Sequence, residues 1–284
     1  MDKDLNFAGI PDEFAEFDGA SILLQSIPYD GTSTWGKGAD RGFSAFLEAA
    51  ENMELFDIET SSEVYRKGIH ILEEIRENRS PEDVYKAVKA KTIQLLQTGK
   101  FLTFFGGEHG VSIGIIEAFK DAYTDLSVLQ LDAHADLRES YLGSDFNHAC
   151  AMHRASKTTN LVQVGIRSLD KSELEHLAPE RCFFAHRMHG NLDWMDRSVD
   201  QLTEKVYLTI DLDVLDPAFM PSTGTPEPGG LDWHTLLEYL KMVFSTREIV
   251  GFDLVEFAPN PMLKAPDFLV AKLYYKLLSY KFFT

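Results

Sequence analysis

Six short apolar runs, each closing on polar or glycine-rich residues, constrain this 284-residue chain more than any other feature. ASILLQSIPY (20–29), KFLTFFGG (100–107), LSVLQLDAH (126–134), LVQVGIR (161–167), KVYLTIDLD (205–213) and EIVGFDLVEF (248–257) read as strands. Between them lie segments with helical periodicity, around 42–55, 81–98, 111–120, 231–244 and 265–280. Ser80 and Pro81 supply an N-cap and a first helical residue for the second of these. Near-continuous apolar strands that alternate with helices require a sheet covered on both faces. The expected fold class is therefore α/β, with a mostly parallel central sheet between helical layers. No repeat, low-complexity tract or linker interrupts the pattern, so residues 1–284 are expected to form a single domain.

Composition narrows the function. A hydrophobic share of 44% is ample for a large core. The formal net charge of −18 argues against a nucleic-acid partner and is compatible with a cationic substrate. Neither a basic-then-apolar N-terminus nor an apolar stretch of the ~18 residues a membrane span needs is visible. A cytoplasmic setting is expected. The two cysteines, Cys150 and Cys182, suggest neither a disulfide framework nor a thiolate metal site.

Ligands of parallel sheets bind beyond the carboxyl ends of the strands. The strongest signal there is Asp132-Ala133-His134-Ala135-Asp136. In an extended chain, residues i, i+2 and i+4 share a side, so all three ionisable groups would face one point. Grouping them at a buried strand end is costly unless a cation compensates. Asp211-Leu212-Asp213 repeats the argument more weakly, and His109 sits in the turn-forming Gly106-Gly107-Glu108-His109-Gly110. Two imidazoles and four carboxylates exceed what one catalytic zinc needs and suit two bridged divalent ions. Oxygen-rich ligation without thiolate favours Mn²⁺ over Zn²⁺. Two such ions roughly 3.5–4 Å apart can share a water and ionise it near neutral pH.

These motifs, in this order, resemble the ureohydrolase family that includes arginase and agmatinase. The matching stretches are IPYDGTSTWGKGADRG (27–42), GGEHG (106–110), DAHADLR (132–138), NHACAMHR (147–154), TIDLDVLDPAFMPSTGTPEPGGL (209–231) and GFDLVEFAP (251–259). The resemblance implies a three-layer sandwich with two Mn²⁺ per chain. One ion would take His109, Asp132, Asp136 and Asp211, the other Asp132, His134, Asp211 and Asp213, with Asp132 and Asp211 bridging. It also implies that Glu256 binds the guanidinium, that His148 shuttles protons, and that Asp136 hydrogen-bonds the attacking water. Family members are commonly trimers or hexamers, so a homo-oligomer is expected.

Arginases carry a segment rich in Asn, Thr and Ser after the D-x-H-x-D motif, whereas this chain reads Leu137-Arg138-Glu139-Ser140-Tyr141. The segment 223–230, with Glu227, resembles the agmatinase branch. The expected substrate is therefore agmatine, giving urea and putrescine, with Glu139 and Asp145 as candidate receivers of its terminal ammonium. N1-aminopropylagmatine, which DLRESYLGS also suggests, and 4-guanidinobutyrate or arginine are the alternatives. Two readings of other classes compete. Gly110-Val111-Ser112-Ile113-Gly114 fits a serine-hydrolase elbow, with His234 as a conceivable partner. A non-catalytic metal-binding protein of the same fold is the other. The remaining histidines, His70, His153, His176, His186 and His189, have no matching role.

Overall fold

The computed structural model describes residues 6–284, and one eight-stranded sheet runs through them. Its strands are β1 (Ile22–Ile27), β2 (Ile69–Ile71), β3 (Phe101–Gly106), β4 (Leu126–Leu131), β5 (Asn160–Ile166), β6 (Cys182–Phe184), β7 (Lys205–Asp211) and β8 (Glu248–Val255). They lie in the order β2-β1-β3-β8-β7-β4-β5-β6, and every neighbouring pair is parallel. The α/β class expected from the apolar runs is the class found. The two outermost strands, β2 and β6, are three residues each and were not expected from the sequence.

The helices are α1 (Gly42–Ala50), α2 (Pro81–Leu96), α3 (Ser112–Ala122), α4 (His153–Thr158), α5 (Ala185–Met188), α6 (Asp193–Asp200), α7 (Trp233–Thr246) and α8 (Ala265–Phe283). Ser80 Oγ accepts the Asp83 N–H at 3.1 Å and Pro81 opens α2, as the sequence suggests. Helix α1 stops at Ala50, short of the expected residue 55. The short helices α4 to α6 were not foreseen. Among the described residues, no helix is long and apolar enough to cross a membrane.

Alternation along each strand divides the core. Ile22 and Leu24 of β1, with Leu208 and Ile210 of β7, pack toward α1, α7 and α8. Leu23 of β1, Phe104 of β3 and Tyr207 of β7 pack toward α2 and α3. Because both faces are covered, the strands read as apolar runs rather than alternating ones.

The arrangement that matters for chemistry is the middle of the sheet. β3, β8, β7 and β4 are adjacent, so the strand ends that carry GGEHG, DLVEF, DLD and DAHAD converge. The loop after β1 leans over them. Gly107 N donates to Ile27 O at 2.9 Å and Glu108 N to Tyr29 O at 2.8 Å. A side chain at residue 107 could not be tolerated here, since a Cβ would lie 2.0 Å from Tyr29 O.

Candidate metal centre

The donor residues do not sit on strands that simply run on. β4 ends at Leu131 and β7 at Asp211, so both stop short of the expected limits of 134 and 213. Asp136 has φ = 52°, a left-handed conformation, which corrects the fully extended geometry assumed for 132–136. Leu212–Val214 form a short 3₁₀ turn in which Asp211 Oδ1 accepts the Asp213 N–H at 2.9 Å. The donors nevertheless converge, because turns at two adjacent strand ends curl toward one point. Left-handed non-glycine residues cost energy and collect at functional sites. Glu256, with φ = 64°, is a second one, just past β8.

His109 Nδ1 lies 3.0 Å from Asp132 Oδ2, 3.1 Å from Asp136 Oδ2 and 3.4 Å from Asp211 Oδ2. His134 Nδ1 lies 2.9 Å from Asp213 Oδ2 and 3.7 Å from Asp132 Oδ1. Two donor groups result, His109-Asp132-Asp211 and Asp132-His134-Asp213, with Asp132 common to both. Asp132 thus presents one oxygen to each histidine. His109, Asp132, Asp211 and Asp213 are at most 3% exposed, and among the described residues no lysine or arginine pairs with these carboxylates.

Surrounding groups aim the donors. His109 Nε2 is 2.9 Å from Thr209 Oγ1, which donates to Asp253 Oδ1 at 2.6 Å. Asp253 Oδ2 accepts from Tyr207 at 2.7 Å. Because Thr209 spends its proton on Asp253, His109 donates its Nε2–H to Thr209 and turns Nδ1 toward the carboxylates. That nitrogen is buried and has no hydrogen-bond partner. Gln130 Nε2 donates to Asp132 Oδ2 at 2.7 Å, and Gln163 Nε2 donates to Gln130 Oε1 at 2.6 Å. Asp213 Oδ1 accepts the Ala133 N–H at 3.0 Å, and Arg167 Nη2 ties Asp213 O at 2.6 Å to Glu227 O at 2.8 Å. The sequence reading missed Thr209, Asp253, Gln130 and Gln163. Their signal was present as polar residues inside otherwise apolar buried strands.

This set fits a pair of divalent cations. A buried imidazole nitrogen with no hydrogen-bond partner and several carboxylate oxygens converge in one place, where like charges repel unless cations separate them. The protonation energetics agree. Burial, then Asp213 and Asp136, push Asp132 up to about 7. Burial, then Asp213 and Asp132, raise Asp211 well above the carboxylate range. Burial opposes charge on His134, but Asp213 and Asp132 lift it to about 11. Without cations the cluster holds protons in their place.

A stability prediction follows from the signs. Raised Asp132 and Asp211 contribute stability below their unfolded values near 4 and lose it as pH climbs through 7 and beyond. Raised His134 contributes fully below about 6.5 and loses stability toward about 11. Asp213, lowered by His134 against its burial, works oppositely, losing stability only as pH falls below the usual carboxylate range. Metal-free protein should therefore lose melting temperature as pH rises from about 5 to about 8. Metal-loaded protein should not, because metal binding displaces those protons. Thermal melts with and without chelator check this; a gap that narrows with rising pH contradicts it.

His134, Asp136 and Asp211 reach a cavity of about 260 Å³, also lined by Glu256, His148, Tyr141, Arg138, Asp170 and Glu173. Glu256 is 8% exposed, and its Oε1 accepts the His109 N–H at 2.8 Å. Burial, then the charge of Glu108, raise its pKa well above the carboxylate range, so a cation is the natural partner for its ionised form. His148 is half-buried, with Nδ1 2.9 Å from Thr32 Oγ1. Its imidazole is lowered, chiefly by burial.

Glu139 and Asp145 are both exposed and neither lines the cavity. Asp145 pairs with Arg154 at 2.7 Å, and Arg154 also bonds Glu117 at 3.2 Å. The carboxylates that do reach the cavity mouth are Asp170 and Glu173. Glu173 is committed to the Leu137 N–H at 2.7 Å, whereas Asp170 lies 3.7 Å from Arg138, whose guanidinium stacks over Tyr141. Glu227 Oε1 stands 3.8 Å from His134 Nε2. Ser112, centre of the G-x-S-x-G match, is fully buried and off the cavity, and His234 is exposed on α7. Neither can form a nucleophilic pair.

Fold and donors together define an α/β protein with a buried site able to hold divalent cations. The chain belongs to the arginase family, whose model matches residues 20–279. It is 33% identical to the N(1)-aminopropylagmatine ureohydrolase of Synechocystis sp., over 96% of this chain and 95% of that protein. Identity to the N(1)-aminopropylagmatine ureohydrolase of Thermus thermophilus is 35%, over 94% and 92%. Among solved structures, the agmatine ureohydrolase of Thermoplasma volcanium superposes with a TM-score of 0.87 at 27% identity, covering 97% of this chain and 94% of that one. The chain is accordingly a hydrolytic amidinohydrolase.

Proposed function

We propose that the chain hydrolyses a guanidinoalkyl amine to urea and the free amine, with N1-aminopropylagmatine first and agmatine second. The observation that carries the reading is a buried carboxylate-imidazole floor beside Glu256, in a cavity that continues to the acidic side chain of Asp170. The sequence alone ranks agmatine first. The order is reversed because the two relatives matching nearly full length at 33% and 35% bear the aminopropyl name. A longer substrate with two ammonium groups also suits the acidic mouth.

In this reading His109, Asp132, Asp136 and Asp211 would hold one Mn²⁺, and Asp132, His134, Asp211 and Asp213 the other. Bound there, the ions supply charge compensation and lower the pKa of a water. Glu256 accepts paired N–H bonds from the planar guanidinium and presents its carbon to that water. Asp136 accepts a hydrogen bond from the water and so orients it. Water adds its oxygen to the guanidinium carbon, the bond to the alkyl nitrogen breaks, and both protons of the water pass to the departing amine, one of them taken up and handed on by His148. The products are urea and an alkylammonium. A cytoplasmic trimer or hexamer remains the proposed setting.

The test is kcat/KM for N1-aminopropylagmatine, agmatine, arginine and 4-guanidinobutyrate on Mn²⁺-loaded protein. The expected result is at least about tenfold preference for the first over either carboxylated compound. Preference for arginine or guanidinobutyrate would overturn the choice of substrate.

A further inference from the structure

One hydrogen-bond chain lies behind the cavity wall and meets the reading above only at His148. It joins the loop after β1, the GGEHG turn and the NHAC segment. Thr32 Oγ1 lies 2.5 Å from Glu108 Oε1 and 2.9 Å from His148 Nδ1, and accepts the backbone N–H of His148 at 3.0 Å. The other oxygen of Glu108 accepts the backbone N–H groups of Thr32 and Ser33, the latter at 3.2 Å. Glu108 is fully buried.

We propose that Thr32 and Glu108 are positioning residues that fix His148 as its Nδ1–H tautomer, leaving Nε2 as the bare nitrogen toward the cavity. The tautomer follows from counting protons. A hydroxyl has one hydrogen and two lone pairs, and an ionised carboxylate only accepts. In its ionised form Glu108 meets only donors: two backbone N–H groups on one oxygen and the Thr32 hydroxyl on the other. Thr32 therefore spends its single proton on Glu108. One of its lone pairs takes the His148 N–H. The remaining lone pair faces Nδ1, so Nδ1 must carry the hydrogen. Among the described residues no protein group bonds Nε2, and His148 lines the cavity. An imidazole that moves protons works through whichever nitrogen its other bond leaves free.

The effect on rate rests on the proton-carrying role proposed for His148, whereas the tautomer does not. The experiment is nitrogen NMR of protein labelled at histidine and loaded with diamagnetic Zn²⁺, with kinetics of the Mn²⁺ form alongside. Unaltered protein should show His148 protonated on Nδ1 with an unprotonated Nε2. Thr32→Ser, which keeps the hydroxyl, should retain that signature. Thr32→Val should lose it and lower kcat by about ten- to a hundredfold, with KM and metal content little changed. Glu108→Gln should reverse the chain. Its amide oxygen stays with the two backbone N–H groups, so its NH₂ donates to Thr32, which then donates to Nδ1 and moves the hydrogen to Nε2. An Nε2–H tautomer in the unaltered protein, its Nδ1–H form surviving Thr32→Val, or no reversal in Glu108→Gln would each overturn the proposal. Failure of the unaltered protein to release urea from any guanidine would instead remove the hydrolase reading and leave the tautomer to the nitrogen shifts.

Discussion

Asp211→Asn is expected to leave the fold intact, reduce bound metal below two per chain and cut kcat by on the order of a thousandfold or more. The substitution is nearly isosteric. Asp211 Oδ1 already acts as acceptor for the Asp213 N–H, and an asparagine oxygen can keep that bond. What is lost is the charge of Oδ2, which lies 3.4 Å from His109 Nδ1 at a site only 3% exposed. The amide NH₂ would then point at the place where a cation has to sit. Transition-state charge compensation by such ions is worth several kcal/mol, about three orders of magnitude in rate. A second readout separates this from simple damage. Asp211 is raised by burial, then by Asp213 and Asp132, so its ionised form strains the metal-free protein. Removing the charge should make the chelated variant melt at or above the chelated parent at about pH 8. Asp132→Asn should behave alike in metal and rate, since Asp132 serves both histidines. Full activity with one ion per chain in either variant would end the binuclear account.

Glu256→Gln carries the second large effect. Glu256 lies in a left-handed conformation immediately after β8, and its N–H donates to Gly107 O at 2.7 Å. Its Oε1 is held by the His109 N–H, leaving Oε2 near Gly224. Glutamine preserves the acceptor for His109 but presents a neutral amide to a guanidinium. Breaking a buried charge pair costs about 3–5 kcal/mol, so kcat/KM should fall by roughly 10²–10⁴-fold. Metal content should stay at the parent value, which distinguishes this variant from Asp211→Asn. Stoichiometric loss of metal in Glu256→Gln would mean that the residue serves the ions and not the substrate.

How far the sequence carried depends on the kind of information each feature needs. The central strands were visible because a sheet covered on both faces demands uninterrupted apolar runs such as VYLTI and FLTFF. β2 and β6 escaped because three residues, Ile69–Ile71 and Cys182–Phe184, generate no period to read. The donors were legible as residue types. Their geometry was not, because the left-handed turn at Asp136 is set by tertiary bonds such as Met152 N to Asp136 O at 2.9 Å. Asp145 shows a related limit. A loop carboxylate looks free until its distant partner, here Arg154, is in place. Thr209, Asp253, Gln130 and Gln163 could have been suspected as isolated polar residues in buried strands, since such groups must be hydrogen-bonded. Which partner each one takes emerges only from the strand order.

The most direct test of the central claim is urea release measured against metal content, with apo protein titrated by Mn²⁺ and presented with N1-aminopropylagmatine or agmatine. The account predicts negligible urea without metal and activity that saturates at two ions per chain. Urea formation that persists undiminished after complete metal removal would contradict it, as would saturation at one ion.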